Sequence, residues 1–143
     1  DSDEQAVFYR TTTKPHTQDA EFDIDSVHTL PRVDIAYAYA GADGLLVRAL
    51  VDAGVAGIVA GGLGSGGSPS KMMAALKAAA QSGVPVVIAT QTGNGRVVRT
   101  RRYDEDGYIV ADNLSPKKTR ILLMMALTKT KDPEEIQRMM LTY

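Results

Sequence analysis

The residues of this chain best placed to do chemistry lie between 57 and 70, where the sequence reads GIVAGGLGSGGSPS. A short apolar run, Gly57-Ile58-Val59-Ala60, ends in glycines at 61, 62, 64, 66 and 67, with the hydroxyls of Ser65 and Ser68 among them. Gly62, Gly64 and Gly67 match the spacing G-x-G-x-x-G, in which backbone amides and the start of a helix cradle a phosphate. A dinucleotide site also needs a carboxylate at the end of the next strand, to hold a ribose hydroxyl. That strand ends Ala89-Thr90-Gln91-Thr92 and has none. The motif also falls on the second strand of its unit instead of the first. Two readings stay open on these grounds: a small-ligand cradle, or a tight strand-to-helix turn that holds nothing.

Nucleophilic catalysis needs an activated hydroxyl with a base in reach. Ser65 and Thr92 fall on loops at the same expected sheet edge, but His16 and His28, the only histidines, lie far upstream in a polar region. The chain has no cysteine, which removes thiolate catalysis, disulfides and thiolate metal sites. No metal ligand set and no cofactor is expected. Arg96, Arg99, Arg101 and Arg102 could hold an anion, yet Asp104, Glu105 and Asp106 follow at once. The stretch from Arg96 to Gly107 therefore reads as an exposed, self-neutralised loop. No catalytic centre is expected from these residues alone.

The elements that would position the glycine loop can be read from periodicity. Val33 to Tyr39, Ile58 to Ala60, Pro85 to Ala89 and Tyr108 to Ala111 read as strands. Asp34 interrupts the first and needs a specific partner or a place at an end. Between them, Leu46, Ala49, Leu50 and Ala53 mark one helix face, with Asp43 as its cap and Gly54 as its stop. Met72, Met73, Leu76, Ala79 and Ala80 mark a second helix, with Pro69 at its first position. Two helices close the chain. One has Ser115 or Asn113 as cap, Pro116 at its start and Ile121, Met124, Met125 and Thr128 facing inward. The other opens with Asp132-Pro133-Glu134-Glu135 and buries Ile136, Met139 and Met140. The doubled methionines read as core packing. Strands alternating with helices predict an α/β fold: a small parallel sheet of about four strands flanked by helices, with flavodoxin-like layering.

Upstream, Ala6 to Arg10 has strand propensity, and Lys14 to Ser26 reads as an arm laid over another surface, anchored by Phe22 and Ile24. His16 is expected to hold this arm in place by hydrogen bonding. Residues 1–29 are thus expected to form a strand and linker arm, and 30–143 the α/β domain. The chain opens Asp1-Ser2-Asp3-Glu4 with no Met and no signal-like run, and reads as a mature or excerpted piece of something longer. A net charge of −1 gives no support to nucleic acid or anionic lipid as partner, and no apolar run is long enough to span a membrane.

Several segments together resemble the C-terminal domain of bacterial type II L-asparaginases. They are Leu30-Pro31-Arg32-Val33-Asp34-Ile35 with the Tyr37/Tyr39 pair, Leu50-Val51-Asp52-Ala53-Gly54 with Gly57-Ile58-Val59, and the glycine loop. The tail carries the most specific match: Asn113 to Arg120 (NLSPKKTR), Leu127 to Pro133 (LTKTKDP), and Ile136-Gln137 on to Tyr143. Tyr9-Arg10-Thr11 and His16-Thr17 fit the segment that precedes this domain in the family.

The resemblance implies an amidohydrolase that converts L-asparagine, and possibly L-glutamine, to the acid and ammonia. Its catalytic threonines, with their assisting lysine and aspartate, belong to a larger N-terminal domain, so this chain by itself is expected to be inactive and to hold no catalytic residue. The C-terminal domain completes the substrate site of a neighbouring subunit, within an intimate dimer that pairs into a tetramer. A periplasmic or secreted location follows by the same resemblance. A free-standing binding or assembly module with this fold is the alternative.

Two loops of the family reach the substrate's α-amino end, one of them usually G-x-G-N-G-[N/S]. Its first Asn falls on Ser65 and its last position on Gly67, while Gly62, Gly64 and Gly66 match directly. Ser65, Gly66, Gly67 and Ser68 are therefore the substrate-binding candidates. The family's acidic residue falls between Thr100 and Arg102, where this chain is basic, with Asp104 or Glu105 as displaced substitutes.

Overall fold

A computed structural model describes residues 11 and 13–143; the strand expected at 6–10 lies outside the described residues. Four parallel strands stand in the order β1 (Val33–Tyr37), β2 (Gly57–Gly62), β3 (Val86–Thr90) and β4 (Ile109–Val110). Their register pairs Val33 with Gly57, Ile58 with Val86, and Val87 with Ile109. Every residue of β2 and β3 is buried. Such continuous apolar runs are what a parallel sheet covered on both faces requires.

Successive side chains on a strand point to opposite faces, so one run feeds two cores. Ile58, Ala60, Val86 and Ile88 pack with Val47 and Leu50 of α1 (Leu45–Asp52) and Met72, Leu76 and Ala79 of α2 (Ser70–Gln81). Val33, Val59, Val87 and Ala89 pack on the other side with Leu123 and Ala126 of α4 (Pro116–Ala126) and Ile136, Met139 and Met140 of α5 (Pro133–Thr142). Of the methionine pairs, Met72, Met73, Met124, Met139 and Met140 pack against the two cores, whereas Met125 lines a cleft beside the arm.

Two helix faces differ from the expected ones. In α1 the buried residues are Val47 and Leu50, whereas Leu46, Ala49 and Ala53 are exposed. In α4 they are Pro116, Thr119, Leu123 and Ala126, whereas Ile121 and Thr128 are exposed and Met124 and Met125 half-buried. Each helix carries more apolar residues than one face can hold (Leu45, Leu46, Val47, Leu50 and Val51 in α1, Ile121 to Ala126 in α4), so spacing alone fits more than one face. Thr119 can be buried because its hydroxyl donates to the Ser115 carbonyl at 2.9 Å.

Helix ends follow the sequence more closely. Asp132 accepts the Glu134 amide at 3.1 Å with Pro133 at the first position of α5. Asp43 accepts the Leu45 amide at 2.9 Å, but the residue in the cap position of α1 is Gly44, with φ +83°. Pro69 is itself the cap of α2 and not its first residue. Asp34 does have its partner, Arg32, at 2.8 Å.

Gln137, which interrupts the apolar face of α5, is buried as well. Its side-chain amide accepts the Val110 N–H at 2.9 Å and donates to the Val110 carbonyl at 3.1 Å. A polar residue set among Ile136, Met139 and Met140 was the available signal.

The arm before β1 contains two short 3-10 turns, Thr17–Asp19 and Ile24–Ser26. Phe22 anchors it, with its ring 5.2 Å from that of Tyr143 and the Lys129 ammonium 5.8 Å above it. The Glu21 amide donates to the Tyr143 hydroxyl at 2.7 Å, and Arg138 reaches the Glu21 carboxylate at 2.6 Å. Ile24 is 64% exposed and anchors nothing. His16 makes only a local contact, 3.4 Å from the Thr17 hydroxyl.

Tyr108, at the foot of β4, is buried and donates its hydroxyl to the Met73 carbonyl at 2.9 Å. Burial, and then the neighbouring Asp106 carboxylate, push its pKa up to about 12 from an ordinary 10.0. Because the folded value is the higher one, the unfolded chain ionises first as pH rises. Stability is therefore expected to be intact below pH 10 and to fall between pH 10 and about 12. Urea denaturation across that interval should show a shallower fall in Tyr108→Phe; an unchanged slope would refute this assignment.

Candidate functional site

The glycine loop begins where β2 runs out at Gly62. Leu63 and Gly67 face each other and exchange two hydrogen bonds, each of 2.7 Å, and the Gly66 amide adds a third to the Leu63 carbonyl at 3.0 Å. This closes residues 63–67 into a ring lying on the sheet. Gly66 has φ +95°, and a Cβ there would stand 2.5 Å from Cγ2 of Ile88. A Cβ on Gly62 would stand 2.3 Å from the carbonyl of Gly66. Close backbone approach explains these two glycines without any ligand. It also counts against a phosphate cradle, because the amides of Gly66 and Gly67 are turned inward onto Leu63.

The four candidate residues occupy different settings, three on this ring and Ser68 just beyond it. Ser65 is exposed at the tip, and its carbonyl accepts the Tyr103 hydroxyl at 3.2 Å. Gly66 is buried beneath it. Gly67 is exposed, and a Cβ there would meet only the Leu63 carbonyl, at 3.4 Å, so the backbone would accept a side chain. The Ser68 hydroxyl is buried and has no hydrogen-bond partner.

The neighbouring loop after β3 ties the strand ends together. Gln91 donates its side-chain amide to the Ala38 carbonyl at 2.7 Å and its backbone amide to Gly62 at 2.9 Å. The hydroxyls of Thr90 and Thr92 bond each other at 2.7 Å, and Thr92 also reaches the Asn94 carbonyl at 3.0 Å. Thr92 is thus engaged by its own loop, and neither histidine stands beside it as a base. Among the described residues no three His, Asp or Glu side chains are grouped as a metal site requires.

The stretch read as a loop from Arg96 to Gly107 is more ordered than its composition suggests. Val97 is buried and donates its amide to the Asp112 carbonyl at 2.8 Å. A short helix, α3 (Arg101–Glu105), follows, capped by the Thr100 hydroxyl, which accepts the Tyr103 amide at 3.3 Å. Composition hid it because a five-residue helix has no apolar period to read.

Two ion pairs form within this stretch, Arg99–Asp104 and Arg101–Glu105, and its other paired charges find partners outside it. Arg96 pairs with Asp112 at 2.7 Å, Arg101 with Glu105 at 2.7 Å, and Lys77 with Asp106 at 2.6 Å. Arg99 grips both Asp104 and Glu134, each at 2.6 Å. That bidentate contact raises the guanidinium pKa and holds the Glu134 carboxyl below its usual range. Asp104 and Glu105, the displaced acidic candidates, are therefore bound to Arg99 and Arg101. Arg102 has no carboxylate within ion-pair distance among the described residues. It lines two adjoining clefts. One, of about 370 Å³, lies beside the loop and is lined by Ser65, Val98, Thr100, Arg102 and Tyr103. The other, of about 510 Å³, lies under the start of α2 and includes Ser68, Lys77, Asp106 and Tyr108.

Fold and loop together describe a parallel α/β layer with a polar corner at the carboxyl ends of β2 and β3, where open sheets of this class hold their ligands. The Glutaminase/Asparaginase C-terminal domain family matches residues 32–140, and the chain belongs to that family. It is 38% identical over 138 residues to L-asparaginase 2 of Escherichia coli K12, a match covering 95% of this chain and 40% of that protein. To the glutaminase-asparaginase of Pseudomonas fluorescens biotype A it is 39% identical over 142 residues, covering 97% of this chain and 39% of the other. The crystal structure of a probable cytoplasmic L-asparaginase from Campylobacter jejuni superposes with a TM-score of 0.90 at 38% identity, over 97% of this chain and 45% of that one. The chain thus spans less than half the length of these relatives.

Proposed function

We propose that this chain is the C-terminal part of an asparaginase-type amidohydrolase, which hydrolyses the side-chain amide of L-asparagine, and of L-glutamine as a second substrate, to a carboxylate and ammonia. The observation that carries this reading is the family match across residues 32–140. The threonine nucleophile comes from a preceding domain. Ser65, Gly66, Gly67 and Ser68 form the corner that closes the substrate site of a neighbouring subunit, in a dimer that pairs into a tetramer. Two features of the corner support this. The tip residue Ser65 is exposed at the carboxyl edge of the sheet, and the ring of hydrogen bonds from 63 to 67 holds it in a fixed position. Among the described residues no helix is long and apolar enough to cross a membrane. The periplasm is the compartment we favour, by family resemblance.

Ammonia release from L-asparagine and L-glutamine tests the reading. The 143-residue chain alone is expected to match the buffer blank. The protein extended upstream through segments bearing T-G-G-T and T-D-T motifs is expected to turn over. Clear turnover by the chain alone would overturn the division of labour, and an inert extended protein would leave the non-catalytic module.

A further inference from the structure

We infer that Tyr103 is a positioning residue for the substrate corner: its hydroxyl fixes the peptide between Ser65 and Gly66, so that the exposed tip meets the substrate already ordered. The inference rests on the proposed placement of the corner against a substrate. Its physical basis is the backbone of the loop. The tip peptide is flanked by Gly64 at φ +54° and Gly66 at φ +95°. Glycine leaves such conformations at little steric cost, so this peptide plane can rotate unless both of its ends are held. The loop holds one end itself, because the Gly66 N–H donates to the Leu63 carbonyl at 3.0 Å. The other end, the Ser65 carbonyl, accepts the Tyr103 hydroxyl at 3.2 Å from 38 positions further along the chain.

Tyr103 suits this task because it is itself fixed at several points. Its amide donates to the Thr100 hydroxyl at 3.3 Å, and its carbonyl accepts the Tyr108 amide at 2.9 Å. Its ring is half-buried against the core and stands edge-on to that of Tyr108, with centroids 6.0 Å apart. The segment carrying it is moored as well: Arg99, just before α3, grips Glu134 of α5 with two hydrogen bonds of 2.9 and 2.6 Å. The tip is thus tied to the body by a side chain with little freedom to follow it. A group ordered in advance loses less conformational entropy when the substrate arrives. That gain is the same in ground state and transition state, since the nucleophile comes from another domain. Its loss therefore belongs in KM and not in kcat.

Two measurements test this on Tyr103→Phe, which keeps the ring and its packing and removes only the hydroxyl. In the first, amide hydrogen exchange of the 143-residue chain is followed by NMR. Gly66 is expected to exchange about fivefold faster, as the loss of one hydrogen bond implies, while Val59 and Val87 in the strands keep their rates. An unchanged Gly66 would overturn the inference. So would an equal acceleration at Val59 and Val87, which would show that the hydroxyl serves the whole fold. In the second, steady-state kinetics of the upstream-extended protein are measured with L-asparagine. KM is expected to rise about fivefold while kcat stays within about twofold. Tyr143→Phe, which removes a hydroxyl bonded to the Glu21 amide of the arm, is expected to leave both constants alone. A KM unmoved by Tyr103→Phe, a fall in kcat in its place, or an equal rise of KM in Tyr143→Phe would also overturn it. An extended protein that hydrolyses neither L-asparagine nor L-glutamine refutes the proposed function, and the exchange measurement then decides by itself whether Tyr103 holds the tip.

Discussion

Replacing Gln137 by leucine is expected to destabilise the fold by about 2–5 kcal/mol, a large share of what a domain of this size has. Gln137 is 3% exposed and lies on the face of α5 that meets β4. Its amide gives Val110 both a donor and an acceptor, as a neighbouring strand would. Leucine has nearly the same volume, so no large cavity opens and the packing loss is small. The cost comes from the Val110 N–H and C=O, each left in a dry interior without a partner at about 1–3 kcal/mol apiece. Part of this is returned, because the leucine has no amide to desolvate. Urea denaturation at neutral pH gives the value directly. A loss below about 1 kcal/mol would mean that water takes over both bonds and that Val110 is less enclosed than its 1% exposure indicates.

The second large effect is expected at Gly62. A methyl there would stand 2.3 Å from the carbonyl carbon and oxygen of Gly66, and these are backbone atoms with little room to yield. Gly66 cannot move inward, because its own free face lies against Ile88 and Val97. It cannot move outward without breaking the paired Leu63–Gly67 bonds. Gly62→Ala is therefore expected to open the ring, with a cost of about 3 kcal/mol or more from overpacking together with lost hydrogen bonds. The Tyr103–Ser65 bond should go with it, since Ser65 rides on the ring. Gly67→Ala, five residues on, places its methyl 3.4 Å from one carbonyl oxygen. It should change stability by less than about 0.5 kcal/mol. Denaturation of the two variants side by side makes the comparison, and equal losses would show that glycine content, and not the contact with Gly66, is what the loop requires.

What the sequence revealed depended on how much one residue's surroundings are set by its neighbours in the chain. β2 and β3 were legible because a continuous apolar run bounded by glycine and proline has few other uses. The start of α5 was legible because Asp132, Pro133 and two glutamates satisfy local backbone groups. The phases of α1 and α4 were not, since each carries more apolar residues than one face holds and takes its orientation from the sheet it lands on. The same holds for charge. That charges between Arg96 and Gly107 would pair within the stretch followed from composition for Arg99 with Asp104 and Arg101 with Glu105, but the pairing of Arg99 with Glu134, 35 positions away, is a product of the fold. At the site, glycine spacing foretold a sharp turn between strand and helix. It could not foretell that Leu63 would absorb the amides of Gly66 and Gly67, or that the acids after Arg102 would all be taken.

The contact between the arm and α5 has a thermodynamic side. Glu21 and Phe22 of the arm meet Arg138 of α5, Tyr143 just after it and Lys129 in the loop before it. Elsewhere it spans a cleft of about 320 Å³ that runs back to Met125 at the end of α4. Glu21 and Phe22 are only partly buried, and Phe22 alone of the two packs against a core, so this contact is expected to open at less free energy than holds the two cores together. Arm and sheet are then expected to open as separate cooperative units. A melting curve reports the sheet and its helices, whereas amide exchange at residues 21–28 reports a local equilibrium set by Tyr143 and Arg138.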